Sequence, residues 1–293
     1  MLRASLGETA LLARTPELWA WKHRLNPFGP SIVLVAVIDG RIAGVRALMR
    51  WDLVDVDGTR LRCVRAVDTA THPDFQRRGI FRALTLAAIE VATASGIDLI
   101  FNTPNDRSGA GYLTMGWREV GTLGAMLRPK PRMLWTRRTE DEWKDPGPLD
   151  VAGSFPSSAD RPPHGLRTPR TAAYLAWRYR GHPTARYVVA SDRQSAIVAR
   201  LNLRNGRREL VVSDLLGPAP GPVLRRVLAS HRGEYAVGWF APGTPERAIA
   251  TRSGMIPVPG LTSLTLFARP LTDGDEVFDL DRWDLSLGDV ELL

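Results

Sequence analysis

A basic loop in the first third of the chain carries residue types suited to binding an anion. The segment Val67–Phe81 reads as a strand, a short loop and the start of a helix. A helix start leaves backbone N–H groups without internal acceptors and carries partial positive charge, so phosphate groups bind there. Gly79 allows the backbone to approach such a ligand closely. Three arginines raise the local positive potential: Arg77, Arg78 and Arg82.

The loop differs from the common nucleotide-binding loops. No Lys-Ser or Lys-Thr follows Gly79, and the three-glycine dinucleotide fingerprint is missing. Apolar residues recur near a helical period over 80–91, and residues 97–102 read as a short buried strand. A second group of spaced residues follows this strand: Asn105, Tyr112, Gly116 and Trp117.

The loop and this second group together resemble the GNAT superfamily, the acyl-CoA-dependent N-acyltransferases. The phosphate loop of that family reads Arg/Gln-x-x-Gly-x-Gly/Ala, and residues 76–80 match it while Phe81 departs at the last position. The second family pattern, an Asn, a Tyr, a Gly and an aromatic residue at fixed spacing, is matched throughout. The resemblance covers roughly residues 30–128.

The resemblance implies an acyl-CoA, most simply acetyl-CoA, as co-substrate. The main chain of the strand before the loop would pair with the pantetheine arm, and N–H groups of the loop would hold the pyrophosphate. Phe81 can serve if its side chain turns into the core and only its N–H faces the ligand. The cofactor-binding residues expected on this basis are Thr69, Thr71, Gln76, Arg77, Arg78, Gly79, Phe81, Arg82 and Asn105.

The resemblance also implies that Tyr112 protonates the departing thiolate; the alternative is a buried aromatic residue whose hydroxyl merely finds a partner. The general base is less defined. Arg65 stands where some family members carry a catalytic Glu, and a guanidinium cannot accept a proton. Asp68 is the candidate base if the strand bulges, and the alternative is a carboxylate paired with a local Arg. Many such enzymes need no side-chain base.

The chain repeats itself. Thr15–Pro27 aligns with Thr171–Pro183, with Thr, Ala, Trp, Arg and Pro in register, and each segment reads as a short helix ended by a Pro-containing turn. Similar strand and helix patterns follow both segments, and Leu261–Arg269 reads as a last strand of the second half. We therefore predict an α/β fold with two GNAT-like domains in tandem, each a central mixed β-sheet flanked by helices.

The predicted boundaries are a catalytic domain over 1–132, a Pro-rich linker over 133–168, a degenerate GNAT-like domain over 169–272 and an acidic tail over 273–293. The second copy lacks the phosphate loop, because prolines over Leu216–Pro222 remove N–H donors. Ala250 stands where the first copy has Tyr112. We expect this copy to pack on the first and to form a wall of the acceptor cleft.

Composition bounds the remaining possibilities. The net charge is +8, which favours anionic partners, but no nucleic-acid motif is visible, so we expect no nucleic-acid partner. One cysteine, Cys63, and scattered histidines predict no disulfide and no metal site. No run reaches the length of a membrane span, and a reducing cytoplasm is the expected location. Trp283 in the acidic tail predicts that the tail docks on the body.

The sequence thus predicts acyl transfer to a primary amine of a small molecule, an amino sugar or a peptide, with a homodimer as one expected assembly. Two alternatives stay open. Tandem GNAT-type folds also serve aminoacyl-tRNA-dependent transferases, although these need no pyrophosphate loop. A non-catalytic protein could use the same site to bind or sense CoA.

Overall fold

The computed structural model describes residues 2–7, 13–130, 154–156, 159–258 and 264–290. Two mixed sheets of six strands each, flanked by helices, organise these residues. The predicted α/β fold with two similar units in tandem is confirmed. Most of the predicted linker and the end of the tail, residues 131–153 and 291–293, lie outside the described residues.

The first half follows the predicted order of strands and helices. Its elements are α1 (Leu2–Leu6), α2 (Pro16–His23), β1 (Ile32–Ile38), β2 (Arg41–Val54), β3 (Arg60–Thr71), α3 (Ile80–Ala94), β4 (Leu99–Asn102), α4 (Asp106–Leu113), β5 (Arg118–Leu123) and β6 (Ala125–Pro129). A short 3₁₀ turn, Pro73–Phe75, precedes the phosphate loop.

The second half repeats this order. Its elements are α5 (Ala172–Leu175), which continues into a π-helical turn (Ala176–Arg180), β7 (Val188–Ser191), β8 (Ala196–Arg204), β9 (Arg207–Leu216), α6 (Gly221–Ser230), β10 (Tyr235–Trp239), α7 (Pro245–Arg252), β11 (Ile256–Pro257), β12 (Leu264–Pro270) and α8 (Leu287–Val290). Two 3₁₀ turns lie between β12 and α8.

The two halves exchange a strand. The first sheet has the order β1-β2-β3-β4-β12-β5, and the second has the order β11-β6-β10-β9-β8-β7. The last strand expected for the second half therefore lies in the first sheet. In the opposite direction, β6 of the first half lies in the second sheet, and Gly124 is the single residue between β5 and β6. A hairpin needs a longer turn, so the chain continues into the neighbouring sheet instead of folding back.

The position of α3 depends on a glycine in β2. A Cβ on Gly44 would lie 2.5 Å from Cγ2 of Ile80 and 2.9 Å from Cδ1 of Leu84. The missing side chain lets the first turn of α3 lie directly on the sheet. This contact fixes the helix start next to the end of β3, where the phosphate loop begins.

The repeated tryptophans meet at the contact between the halves. The indole N–H of Trp21 donates to the carbonyl of Trp177 at 2.8 Å, and the indole N–H of Trp177 donates to the carbonyl of Trp21 at 2.9 Å. The rings stack with their centroids 4.6 Å apart and their planes 13° from parallel. Both side chains belong to one buried apolar cluster built from the two halves.

The acidic tail docks on the body. Trp283 is fully buried, and its indole N–H donates to the carbonyl of Val277 at 2.8 Å. Asp284 pairs with Arg161 at 2.9 Å and Asp289 pairs with Arg170 at 2.7 Å. The sequence-based expectation of docking through Trp283 is confirmed.

The reciprocal tryptophan contact predicts a large and shared stability cost. Trp21→Phe and Trp177→Phe each leave a buried carbonyl without its donor, which costs about 1–3 kcal/mol. Because the two rings touch, we expect the double variant to depart from additivity by about 0.5 kcal/mol or more. Urea unfolding of the single and double variants measures both quantities.

Trp19→Phe on the same helix is the matched control, since no indole hydrogen bond of Trp19 occurs among the described contacts. We expect a smaller loss of stability for this variant. An equal loss for Trp19→Phe, or strict additivity of the other two, would contradict the role assigned to the pair.

Candidate functional site

The phosphate loop presents an open helix start. Arg77 and Gly79 have φ angles of 61° and 74°, both in the left-handed region. The first backbone hydrogen bond of α3 runs from Ala83 N to Gly79 O at 3.0 Å, so the N–H groups of residues 80–82 have no acceptor within the helix. Residues 76–79 are exposed. The loop therefore has the backbone donors and the basic side chains expected of an anion site.

Phe81 turns inward. Its ring packs edge-on against the ring of Tyr112, with centroids 5.6 Å apart and planes at 81°. A Cβ on Gly111 would lie 2.9 Å from Cε1 of Phe81, so this glycine makes room for the ring. The ring therefore does not cover the start of α3. This is the arrangement that the sequence analysis required for Phe81 to serve in the phosphate loop.

Asn105 caps the helix that carries Tyr112. Its side-chain oxygen accepts hydrogen bonds from Ser108 N at 3.1 Å and from Ser108 Oγ at 3.0 Å. This is an N-cap, which stabilises the first turn of α4. The predicted contact of Asn105 with the cofactor stays a prediction, and the observed role is to orient α4.

Tyr112 is buried and its hydroxyl has a cationic partner. The guanidinium of Arg46, on β2, donates from Nη1 to Tyr112 Oη at 2.6 Å and to Thr69 Oγ1 at 2.6 Å. Arg46 is fully buried, and its guanidinium lies 5.1 Å from the centre of the Tyr112 ring. Arg46 thus joins two of the predicted site residues, one on β3 and one on α4.

Sequence reasoning missed Arg46. The available signal was a charged residue inside the otherwise apolar run Val45–Met49, on a strand read as core. A buried arginine at such a place requires hydrogen-bond partners and is a sign of a functional site.

The strand before the loop is bulged and separates from its neighbour. β3 and β4 pair in parallel as far as Arg65 with Phe101. On the other side, Val45 pairs with Ala70 and Ala47 pairs with Val67, so Asp68 and Thr69 together oppose Arg46. Asp68 has a φ angle of 45° at this bulge. The bulge on which the Asp68 hypothesis depended is present.

Asp68 is held by three basic side chains. Its carboxylate lies 3.0 Å from Arg14 Nη1, 3.1 Å from Lys22 Nζ and 3.1 Å from His23 Nε2. Burial raises the pKa of Asp68, but the His23 hydrogen bond and the Lys22 charge outweigh it and hold the pKa well below its usual range. Burial lowers the pKa of Lys22, against the opposing charge of Asp68. A carboxylate so engaged is a poor proton acceptor, which favours the ion-pair alternative over the general base.

Arg65, at the position of the family's occasional catalytic Glu, links the site to the tail. Its Nη2 donates to the carbonyl of Val290 at 2.7 Å, and its guanidinium lies 5.1 Å from the Trp51 ring. Burial lowers the pKa of Arg65 to about 9. The side of the sheet opposite Tyr112 is therefore basic at this point.

A cavity of about 310 Å³ lies on that basic side, between α1, α2 and the bulge of β3. Its lining includes Arg14, Lys22 and Asp68 together with apolar groups of Leu2, Leu18 and Trp19. Asp68 faces this cavity, and the next residue, Thr69, contacts the Arg46 that binds Tyr112. The cavity thus adjoins the bulge on one side of the sheet while Tyr112 lies on the other.

Among the described residues of the second half, the loop before α6 does not present an open helix start like that of α3. Its loop amides are used internally: Gly217 N donates to Ala159 O at 3.1 Å, and Ala219 N donates to Ser195 Oγ at 3.0 Å. Pro220 precedes α6 and has no N–H. Met255 N donates to Ala250 O much as Trp117 N donates to Tyr112 O, so Ala250 occupies the place of the tyrosine.

Two further properties concern the described part of the chain. No group of His, Cys, Asp or Glu side chains within it is arranged to hold a metal ion. Its helices are too short or too polar for any of them to cross a membrane.

Comparisons with known proteins find a matching family model and solved structures that share the fold. A family model described as an acetyltransferase (GNAT) domain matches residues 4–120. No curated protein matches the sequence. Solved structures share the fold at low identity, among them a GCN5-related N-acetyltransferase from Anabaena variabilis ATCC 29413, with 12% identity and a TM-score of 0.60 over 92% of this chain and 69% of that one.

Two other structures show the same arrangement. Eis1 from Mycobacterium abscessus has 14% identity and a TM-score of 0.58 over 92% of this chain and 69% of its own. A tandem GNAT protein from the clavulanic acid biosynthesis pathway has 14% identity and a TM-score of 0.51 over 94% of both chains. Residues 4–120 are thus similar to a GNAT acetyltransferase domain, and the fold of the whole chain is similar to that of a tandem GNAT protein.

Proposed function

We propose that the protein transfers an acyl group, most simply acetyl from acetyl-CoA, to the primary amine of a small molecule. The amine nitrogen forms the new bond to the acyl carbon, the carbon–sulfur bond breaks, the amine loses a proton and the thiolate gains one. The observation that carries this proposal is the buried hydrogen bond from Arg46 to Tyr112 Oη at 2.6 Å.

The direction of that hydrogen bond determines where the hydroxyl proton of Tyr112 lies. Because Arg46 donates to the tyrosine oxygen, the hydroxyl proton of Tyr112 must point away from the guanidinium. It can then be donated to a leaving thiolate, and the adjacent cation stabilises the phenolate that remains. Acetyl-CoA supplies the acyl group and the leaving thiol.

Unpaired polar atoms on Arg46, the partner of Tyr112, and at the end of β4 support a ligand there. Among the described residues, Nε and Nη2 of Arg46 and Oδ1 of Asn102 are buried without a hydrogen-bond partner. Buried polar groups rarely stay unpaired unless a ligand or water completes them. The amide and carbonyl groups of a pantetheine arm have the donors and acceptors that these atoms need, and the open start of α3 suits its phosphates.

The alternatives are weaker on these observations. A transferase that uses aminoacyl-tRNA has no need of the exposed loop over 76–79. A CoA-binding protein without catalysis has no need of a donor aimed at Tyr112.

A reducing compartment such as the cytoplasm is part of the proposal, since the one cysteine, Cys63, is a buried thiol.

Removing the tyrosine hydroxyl tests the proton donor. We expect Tyr112→Phe to lower kcat by about 10²-fold or more, because the thiolate loses its acid, while the Kd of acetyl-CoA changes little. Thiol release measures kcat, and calorimetry measures the Kd. Undiminished turnover would contradict the assignment, and tight binding of acetyl-CoA without acylation of any amine by the wild type would favour the sensing alternative.

Replacing the arginine tests its dependence on the tyrosine. Arg46→Gln keeps one donor near Tyr112 Oη but removes the charge, so we expect kcat to fall by about 10-fold or more. In the Tyr112→Phe background the same substitution should have a much smaller effect, because the pair acts as a unit. Full additivity of the two effects on kcat would show that Arg46 acts independently of Tyr112.

A pair of glycines tests the phosphate loop. Gly79 and Gly206 have φ angles of 74° and 73°, and a Cβ on either would meet no atom within 4 Å. Alanine at either site therefore carries a similar backbone cost of about 1–2 kcal/mol. We expect Gly79→Ala to raise the KM for acetyl-CoA and Gly206→Ala, in the β8–β9 turn, to leave it unchanged. Equal KM values for both variants would argue against the loop.

A further inference from the structure

β1 is a long apolar strand at the edge of the first sheet. Among the described residues it pairs with β2 on one side and with no strand on the other. Its seven residues are all apolar, and the bulge between the two strands adds its extra residue, Ala43, to β2. The free side of such a strand presents main-chain N–H and C=O groups that pair readily with another strand. Proteins usually protect an edge with charges, proline, short length or a covering segment.

The other sheet edges in the described part of the chain have such protection. β5 carries Arg118 and Glu119, and the tail covers it, since a Cβ on Gly121 would lie 2.8 Å from Cδ2 of Leu280. β11 has two residues, one of them Pro257, and β7 has four residues. β1 is therefore the edge at which the addition of a further strand is not opposed.

One face of β1 lies against α3, and the other carries an exposed apolar stripe. Along the strand, half-buried residues on the α3 side alternate with exposed residues on the other side, so the strand is regular. Four apolar side chains on the outer side are 37–59% exposed, namely Val33, Val35, Val37 and, opposite Val37 on β2, Ile42. Contiguous apolar patches of this kind mark sites of association.

The sequence of β1 reads nearly the same in both directions. Ile-Val-Leu-Val-Ala-Val-Ile is symmetric about Val35, except that Leu34 corresponds to Ala36. If two copies of β1 pair antiparallel about Val35, Val33 of one copy lies opposite Val37 of the other, and Val35 lies opposite itself. Leu34 then lies opposite Ala36, a large side chain beside a small one. Such a pair has the two-fold symmetry of a homodimer, in which a surface meets its own copy.

We propose that a second copy of this chain binds at β1, with the two β1 strands antiparallel and the two-fold axis at Val35. The six-stranded first sheets of the two copies then form one continuous sheet. Main-chain hydrogen bonds join the copies, and cross-strand contacts between the valines bury part of the stripe. Because each chain has one such edge, the assembly closes at two copies. This inference is independent of the proposed acyl transfer.

A charge at the axis tests the interface. Sedimentation equilibrium of the full chain should give a dimer for the wild type. Val35→Lys places two like charges side by side, so we expect the Kd of the dimer to rise about 10²-fold or more. Val56→Lys is the matched control, because Val35 and Val56 are each 52% exposed but Val56 lies in the turn between β2 and β3. Circular dichroism and thermal unfolding show whether each variant is folded.

Mixing two variants tests the position of the axis. Val35→Glu should weaken the dimer as Val35→Lys does, whereas an equal mixture of the two should form a heterodimer, because opposite charges then meet at position 35. This recovery is expected only if position 35 lies against itself.

A cross-link tests the same register without a charge. Residues directly opposite in an antiparallel pair have Cα atoms about 4.5–5.5 Å apart, a distance that a disulfide can span. Under mild oxidation Val35→Cys should therefore form a covalent dimer and Val56→Cys should not. The native thiol, Cys63, is buried and gives little background.

Each result decides the proposal. A monomeric wild type overturns it, as does an assembly that Val35→Lys leaves intact or that Val56→Lys weakens equally. Failure of the Lys and Glu variants to form a heterodimer, together with equal cross-linking at positions 35 and 56, places the interface elsewhere and also overturns it. None of these measurements uses acyl transfer, so the proposed function stands or fails separately.

Discussion

The stacked pair of Trp21 and Trp177 is the contact on which the arrangement of the two halves depends. Each indole donates to the main chain of the other, so neither helix can shift without breaking a buried hydrogen bond and the stack together. The pair lies in the apolar cluster shared by the halves. Because α2 also carries Lys22 and His23, the same contact holds these two basic residues against Asp68 of β3.

The exchanged strand makes the tyrosine site a product of both halves. β12 pairs with β4 and β5, and Phe267 of β12 belongs to the apolar cluster that contains Tyr112. Arg269, on the same strand, donates to the carbonyl of Met115 and lies over the Trp117 ring, 5.5 Å from its centre. The copy without a phosphate loop therefore contributes to the core behind the tyrosine, which gives a physical reason for its retention.

Local patterns predicted much of this fold, and contacts between distant segments account for what they missed. The spacing of Asn105, Tyr112 and Gly116, and the repeat around Trp21 and Trp177, are local signals, and the elements they predicted are present. The destination of β12 is not local, because its sequence alone does not show that it will lie between β4 and β5 of the first sheet. Arg46 was missed for a similar reason. Its partners, Thr69 and Tyr112, come from two other elements, and only the folded chain shows them together.

Buried ion pairs at the third strand of each sheet hold neighbouring segments in place. In the second half, a buried guanidinium between two carboxylates, Asp214 and Asp289, holds the tail in place. Burying charges in this way is stabilising only if every partner is present, so the tail cannot leave without leaving Arg170 underpaired. In the first half, the carboxylate of Asp68 is paired in a similar way with Arg14, Lys22 and His23. Each strand carboxylate thus has basic partners within the chain and fixes a neighbouring segment to its sheet, α2 in the first half and, through Arg170, the tail in the second.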